Sequence, residues 1–263
     1  MMASVAPGIP TSGIAISETR DAMGRSAASD IAAALRERLA RQDRVRMVLA
    51  AAPSQAEMLD ALVSERDIDW RRVIAFHMDE YLGLPAHAPE RFGVWLTRHF
   101  FSRVPLGAVH LIGQESNPDR EAARYTALLA EDPIDIVCLG IGVNGHLAFN
   151  DPPVADLRDP KQVKIVELDA ICRQQQVDDK CFAILDDVPT HAITLTIPRL
   201  LDAHQLFCVV PGAAKRAAVE QSLYGPIGAA CPASALRTHP RCTLYLDRVS
   251  APPQLSLQAP ARA

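Results

Sequence analysis

The chain has 263 residues and a formal net charge of -4. With 49% of its residues apolar and 22% charged, it has the makeup of one globular domain with a sizeable core, not of a fibrous or disordered protein. The arginines between Arg36 and Arg46 alternate with Glu37 and Asp43, the pattern of a solvated helix face, which argues against a nucleic-acid partner. The six cysteines form no CxxC pair, the start shows no leader, and no run nears the ~18 apolar residues that a bilayer demands, so a cytoplasmic protein without a membrane partner is expected.

Residues up to Gly13 carry Pro7, Gly8 and Pro10 and read as a flexible tail. Ser17 then reads as a helix cap, and Glu18 to Arg41 places Met23, Ala27, Ile31, Leu35 and Leu39 at helical spacing. Val45 to Ala51 is the first expected strand. The turn Pro53-Ser-Gln-Ala-Glu57 leads into the helical pattern Met58, Leu59, Leu62, Val63 and carries two readings. Ser54 and Glu57 have capping-box spacing. Equally, a strand-loop-helix start offers free N–H groups to an anion, which would put Ser54 and Gln55 at a phosphate, although the glycines of a phosphate-cradling loop are missing.

Val73 to Met78 is a second expected strand that delivers Asp79, Glu80 and Tyr81 at its carboxyl end, where open α/β sheets bind ligands. His77, Asp79 and Glu80 lack the distant third ligand set that a metal would need, so no metal is expected. Phe92 to Phe101 resumes helical character, with Val94, Trp95 and Leu96 toward the core and Trp95 read as packing. Ala122 to Leu129 is a further amphipathic helix.

Ile134 to Leu139 is an apolar run suited to a strand covered on both faces. It opens into Gly140, Gly142 and Gly145, then His146, Asn150 and Asp151, closed by Pro152 and Pro153. The segment from about 155 to 187 turns polar, with Cys172-Arg-Gln-Gln-Gln176 inside it, and reads as a mobile lid or a surface excursion. His191 to Thr196, Leu206 to Val210 and Thr243 to Leu246 are expected strands. Pro211-Gly-Ala-Ala-Lys215 follows the second of them, and residues 251–263 read as a disordered tail. The sustained alternation predicts one α/β domain over 14–250, a doubly wound, mostly parallel, Rossmann-like sheet whose strand ends face one crevice.

The glycines at 140, 142 and 145 formally spell GxGxxG, but that fingerprint needs a helix to start at the third glycine, and Asn150, Pro152 and Pro153 cut any helix short. No nucleotide cofactor is therefore expected. A lone loop histidine is by default structural; here Asp151 stands close enough in sequence to orient His146, and burial at a strand end would raise Asp79 into the range of a working base. With Lys215 as anion anchor, these residues make a proton-transfer constellation. No serine or cysteine sits in a nucleophile elbow, so acyl-enzyme chemistry finds no support.

At these residues the chain resembles the glucosamine-6-phosphate deaminase/isomerase family, related to the 6-phosphogluconolactonases. Phe76-His-Met-Asp-Glu-Tyr-Leu-Gly-Leu-Pro85 is similar to its MDEY-GLP segment. Gly140-Ile-Gly-Val-Asn-Gly-His-Leu-Ala-Phe-Asn-Asp-Pro152 is similar to its G-x-G-x-[DN]-G-H-[IL]-[AG]-F-N-[ED]-P loop, whose Phe-Asn-acid-Pro continuation the lactonases lack. The resemblance implies that Asp79 moves a proton between C2 and C1 of an open-chain aminosugar phosphate and that His146 opens the pyranose ring. Asp151 and Asn144 would support the histidine, Gly142 would let the sugar approach, Lys215 would bind phosphate, and no cofactor is needed. Two departures mark this chain. Its loop after the first strand is Ala52-Pro-Ser-Gln-Ala56 where relatives are rich in Gly and Thr/Ser, and the lid arginine position falls on Gln176, with Arg173 nearby as a substitute. A sugar lactone hydrolase and a non-catalytic sugar-phosphate sensor are the competing expectations, and homo-oligomerisation is left open.

Overall fold

The runs Val45–Leu49 and Ile134–Leu139 are buried at every position, as strands covered by helices on both faces must be. The computed structural model that carries them describes residues 13–178 and 180–256. In chain order, β1 (Ile14–Ser17) leads to α1 (Arg20–Leu39), β2 (Val45–Leu49), α2 (Ala56–Val63), β3 (Val73–His77), β4 (Asp79–Tyr81) and α3 (Phe92–Leu96), which a π-helical turn, Thr97–Phe101, continues. β5 (Ala108–His110), α4 (Pro118–Ala130), β6 (Ile134–Leu139), β7 (Val163–Glu167) and α5 (Ala170–Asp178) follow. The chain then runs through β8 (His191–Leu195), α6 (Ile197–Leu201), β9 (Ala203–Val210), α7 (Arg216–Tyr224), β10 (Cys242–Asp247) and α8 (Pro253–Ser256).

Among the described residues, seven strands pair in parallel in the order β1-β10-β9-β6-β2-β3-β5. Alternate side chains of each strand enter opposite layers. Met47, Ile136, Cys138 and Phe207 pack under α1 and α2, whereas Val48, Val137, Leu139 and Cys208 pack under α4 and α7. After β2 the chain moves outward through β3 and β5, then returns to β6 on the other side of β2. The order therefore reverses between β2 and β6, the kind of switch point at which doubly wound sheets open a ligand crevice.

The expected mostly parallel α/β sheet is present, and several local expectations are not met. Asp79 does not end a strand of the parallel sheet: β3 stops at His77, and Asp79 opens β4, the edge of a separate antiparallel sheet of order β4-β8-β7. The expected strands near 163 and 191 belong to this small sheet too. Ser17 is paired with Asp247 in the sheet edge, so Thr19 caps α1, its hydroxyl accepting from Ala22 N at 3.2 Å. The Ser54–Glu57 capping box does not form, because Glu57 turns to Arg20 in an ion pair at 2.5 Å and α2 starts without a side-chain cap. From Ala251 the expected tail is not loose at its start: Ala251 and Leu255 are buried in the layer that holds α7, and Pro253–Ser256 is helical. The remainder of that expected tail, and all but the last residue of the one at the start, lie outside the described residues.

Candidate active site

A cavity of about 520 Å³ opens over the carboxyl ends of β9, β6, β2 and β3. Its walls are the turns that end those strands: Pro53–Gln55, Gly140–Gly142 with His146, and Pro211–Lys215, with Asp79 and Met78 from the crossing into β4. Phe92, Trp95 and Phe149 give it an apolar side, while Gln175, Gln176 and Lys180 reach it from α5 and the residues after it. The expected residues Ser54, Gln55, Asp79, Gly142, His146 and Lys215 thus meet in one place.

The histidine is held by a closed local network. Its Nδ1 lies 2.9 Å from Asn144 Oδ1 and 3.0 Å from Asp151 Oδ1, and Asn144 donates through Nδ2 to the same Asp151 oxygen at 2.9 Å. Both neighbours of Nδ1 are acceptors, so Nδ1 carries the proton, and in the neutral ring Nε2 is left as a base. The Asn144 orientation follows in the same way: its carbonyl takes the His146 backbone N–H at 3.1 Å and its amide nitrogen faces the carboxylate. Burial alone would raise the Asp151 carboxyl, but the hydrogen bonds and charge of His146, with help from Asn144, hold it below the usual range, so it stays an anion that orients the ring.

Two glycines are required by this geometry. A Cβ on Gly142 would stand 2.2–2.3 Å from the His146 ring atoms. Gly145 turns with φ +85°, and a Cβ there would meet Cys231 Sγ at 2.6 Å. The far end of the loop is stapled to the small sheet, because Asn150 donates to the carbonyls of Leu147 and Leu195, each at 2.8 Å, and Phe149 N donates to Thr194 Oγ1 at 3.2 Å.

Asp79 is buried, and its carboxyl is pushed well above the usual carboxylate range by burial first and then by the neighbouring Glu80 and Asp151. Glu80 is directed away, accepting amide N–H bonds from Tyr81, Phe92 and Gly93 at 3.0–3.1 Å and facing Arg91 at 3.4 Å. His77 is committed to the backbone on both ring nitrogens, which leaves no set of metal ligands with Asp79 and Glu80; among the described residues no group of three or more metal-binding side chains gathers.

Arg173 does not line the cavity. Its guanidinium donates to the carbonyls of Val188 and Leu185, at 3.1 and 2.7 Å, which braces the end of the segment it belongs to. Gln176 does line it and accepts from the buried Tyr81 hydroxyl at 2.7 Å. Gln55 is fully buried, its amide donating to Val209 O at 3.1 Å and so tying the Pro53 turn to β9. Trp95 packs against the core as expected, while its half-buried ring also reaches the cavity edge and stacks on His99 with ring centroids 4.2 Å apart. Sequence reasoning missed two cations on the cavity wall: Lys180, in the left-handed region at φ +61°, and Arg20, which donates to Pro53 O. Neither lies near a recognised motif, and only the fold brings them to the others.

Comparison with known proteins places this geometry among sugar-phosphate enzymes. The family model described as glucosamine-6-phosphate isomerases/6-phosphogluconolactonase matches residues 18–245. A glucosamine-6-phosphate deaminase of Listeria monocytogenes is 34% identical over 199 residues, which cover 75% of this chain and 83% of the relative. One from Streptococcus pneumoniae is 33% identical over 200 residues, 76% and 83% of the two chains. The solved structure of a monomeric glucosamine-6-phosphate deaminase superimposes with a TM-score of 0.81 at 25% identity, over 90% of this chain and 98% of the other. A 6-phosphogluconolactonase from Thermotoga maritima shares the fold, with a TM-score of 0.73 at 18% identity over 89% and 99% of the two chains.

Proposed function

The chain belongs to the glucosamine-6-phosphate isomerase/6-phosphogluconolactonase family, and on that premise we propose that it is a deaminating aldose–ketose isomerase converting glucosamine 6-phosphate and water to fructose 6-phosphate and ammonia. The observation that carries the reading is a buried Asp79, raised in pKa, sharing one cavity with a histidine whose tautomer leaves Nε2 as a base. His146 takes the proton from the C1 hydroxyl and returns it to the ring oxygen as the C1–O5 bond breaks. Asp79 then removes the C2 proton and delivers it to C1, while one proton of the C2 ammonium passes to the C1 oxygen, so that the C1=O double bond is exchanged for an iminium C2=NH2+ beside a C1 hydroxyl. Water adds at C2, ammonia leaves, and the ketose phosphate remains.

An aminosugar suits this carboxylate better than a lactone does. The charge-raising neighbours of Asp79 are acidic, so the C2 ammonium of the bound substrate offsets them and returns Asp79 to its ionised, basic form. A lactone brings no cation to that position. We assign the phosphate to the mouth between the Pro53 and Gly212 turns, where Lys215 and Arg20 stand, with Lys180 a further cation on the wall of the same cavity, and the segment from about 155 to 187 to the role of lid. No disulfide joins any of the six cysteines, all of which are described residues, in keeping with action in the cytoplasm. Incubation of the purified protein with glucosamine 6-phosphate, with ammonia and fructose 6-phosphate each measured, tests the proposal; hydrolysis of 6-phosphogluconolactone without ammonia release would replace it with the lactonase reading, and ligand binding without turnover would replace it with a sensor.

A further inference from the structure

We propose that His77, which lies behind the cavity wall, is a positioning residue that sets where the Asp79 carboxylate stands. The inference rests on Asp79 as the base of the proposed reaction. Between β3 and β4 the chain leaves one sheet and joins another with Met78 alone in between, and Asp79 is the first residue past that short crossing. The strand is only three residues long, with Asp79, Glu80 and Tyr81 opposite Thr194, Ile193 and Ala192, and it is flanked by backbone bonds from Leu195 N to Met78 O at 2.8 Å and from Leu82 N to His191 O at 3.0 Å.

The imidazole adds a fixture on the Asp79 carbonyl itself. Its Nε2 lies 2.8 Å from the backbone N of Ile112, which can only donate, so Nε2 is the acceptor and the ring proton is on Nδ1. Nδ1–H then donates to the Asp79 carbonyl at 2.9 Å. The ring therefore bridges the segment after β5 to the residue that carries the base. The backbone of His77 is itself clamped, because Tyr125 Oη accepts from its N–H at 3.0 Å and donates to its carbonyl at 2.8 Å. Burial, with the Arg91 charge adding, holds the imidazole neutral by pushing its pKa down to about 3, so the donor–acceptor polarity of the bridge persists across the working pH range.

The two nitrogens can be tested apart, since an asparagine amide falls near the place of Nδ1 and a glutamine amide near that of Nε2. His77→Asn keeps the link to Asp79, and we expect kcat to fall no more than about threefold. His77→Gln keeps the Ile112 link and loses the other, and kcat is expected to fall about 10²-fold with KM within about twofold, the cost of a base displaced by a fraction of an ångström to one ångström. Equal losses in the two variants, or a loss confined to KM or to thermal stability, would overturn the proposal. A readout on the wild-type protein does not depend on either variant folding or on turnover: long-range ¹H–¹⁵N NMR should show His77 neutral and protonated at Nδ1 from pH 7 to 4. An Nε2–H tautomer would overturn the proposal even in an active enzyme, whereas the expected tautomer in a protein that releases no ammonia would leave the bridge standing and remove the functional reading.

Discussion

Asp79 combines a catalytic requirement with a cost in stability. Its folded-state pKa is raised, so the folded protein favours the protonated acid; the stability this contributes is complete below the unfolded carboxylate pKa and is lost as pH rises through the folded value. Asp79→Asn should therefore lower kcat by about 10²–10⁴-fold while raising Tm at pH 7, with the stability gain fading toward pH 4; about 1 kcal/mol moves Tm by about 2–4 °C in a domain of this size. Thermal melts at both pH values beside kcat measurements check it, and an Asn variant that loses both activity and stability would contradict it. Gly142→Ala places a methyl group where the His146 ring stands, and the ring cannot retreat without leaving Asn144 and Asp151. We expect about a 10²-fold loss of kcat with a fold unchanged by circular dichroism. These residues were legible in the sequence because a dense local motif carries them: Asn144, His146 and Asp151 sit within eight positions and need only one turn to meet. Lys180 and Arg20 were not legible, since a single cation acquires meaning only from what the fold sets opposite it. Arg173 was misread for the converse reason, as nothing in the sequence signals that the carbonyls of Leu185 and Val188 claim its guanidinium.

Among the elements, the small antiparallel sheet and α5 fix the site from outside the Rossmann-like layer. Tyr81, next to Glu80 on β4, is buried and donates its hydroxyl to Gln176 on α5. Gln176→Leu leaves that hydroxyl without an acceptor and should cost about 1–3 kcal/mol, read as a lower midpoint in urea unfolding; an unchanged midpoint would mean that α5 is not held through this bond. The turn after β9 carries the other element-level test. Lys215→Ala should raise KM for the sugar phosphate by ~10- to 150-fold, equivalent to the ~1.5–3 kcal/mol of a charge-assisted hydrogen bond, and leave kcat close to wild type. A KM that does not move would relocate the phosphate. The existence of β7 and β8 could be read from their β-branched runs, but their partners could not, and β4, which is Asp79-Glu80-Tyr81, has no β-branched residue to announce it. Antiparallel pairing of residues 79–81 with 192–194 depends on a sequence separation of more than a hundred residues, and no local pattern distinguishes such a strand from one in the parallel sheet.

In the whole molecule, the parallel sheet was legible through its five inner strands because strand–helix alternation runs almost the length of the chain and right-handed crossovers leave few ways to wind it, whereas the short edge strands β1 and β5 were not expected. The reversal of strand order between β2 and β6 then explains why an apolar strand should end in a glycine-rich loop with a histidine: its carboxyl end is the floor of the crevice. The same architecture accommodates both reactions of the family, so the fold cannot choose between them, and the choice falls to the charge around Asp79 and to the histidine opposite. One measurement weighs that choice most directly: ammonia and fructose 6-phosphate released from glucosamine 6-phosphate by the purified wild-type protein, with Asp79→Asn run in parallel. Equimolar release of the two products by the wild type, and its loss in the variant, is the predicted result; release that survives in Asp79→Asn, or none from the wild type, would contradict it.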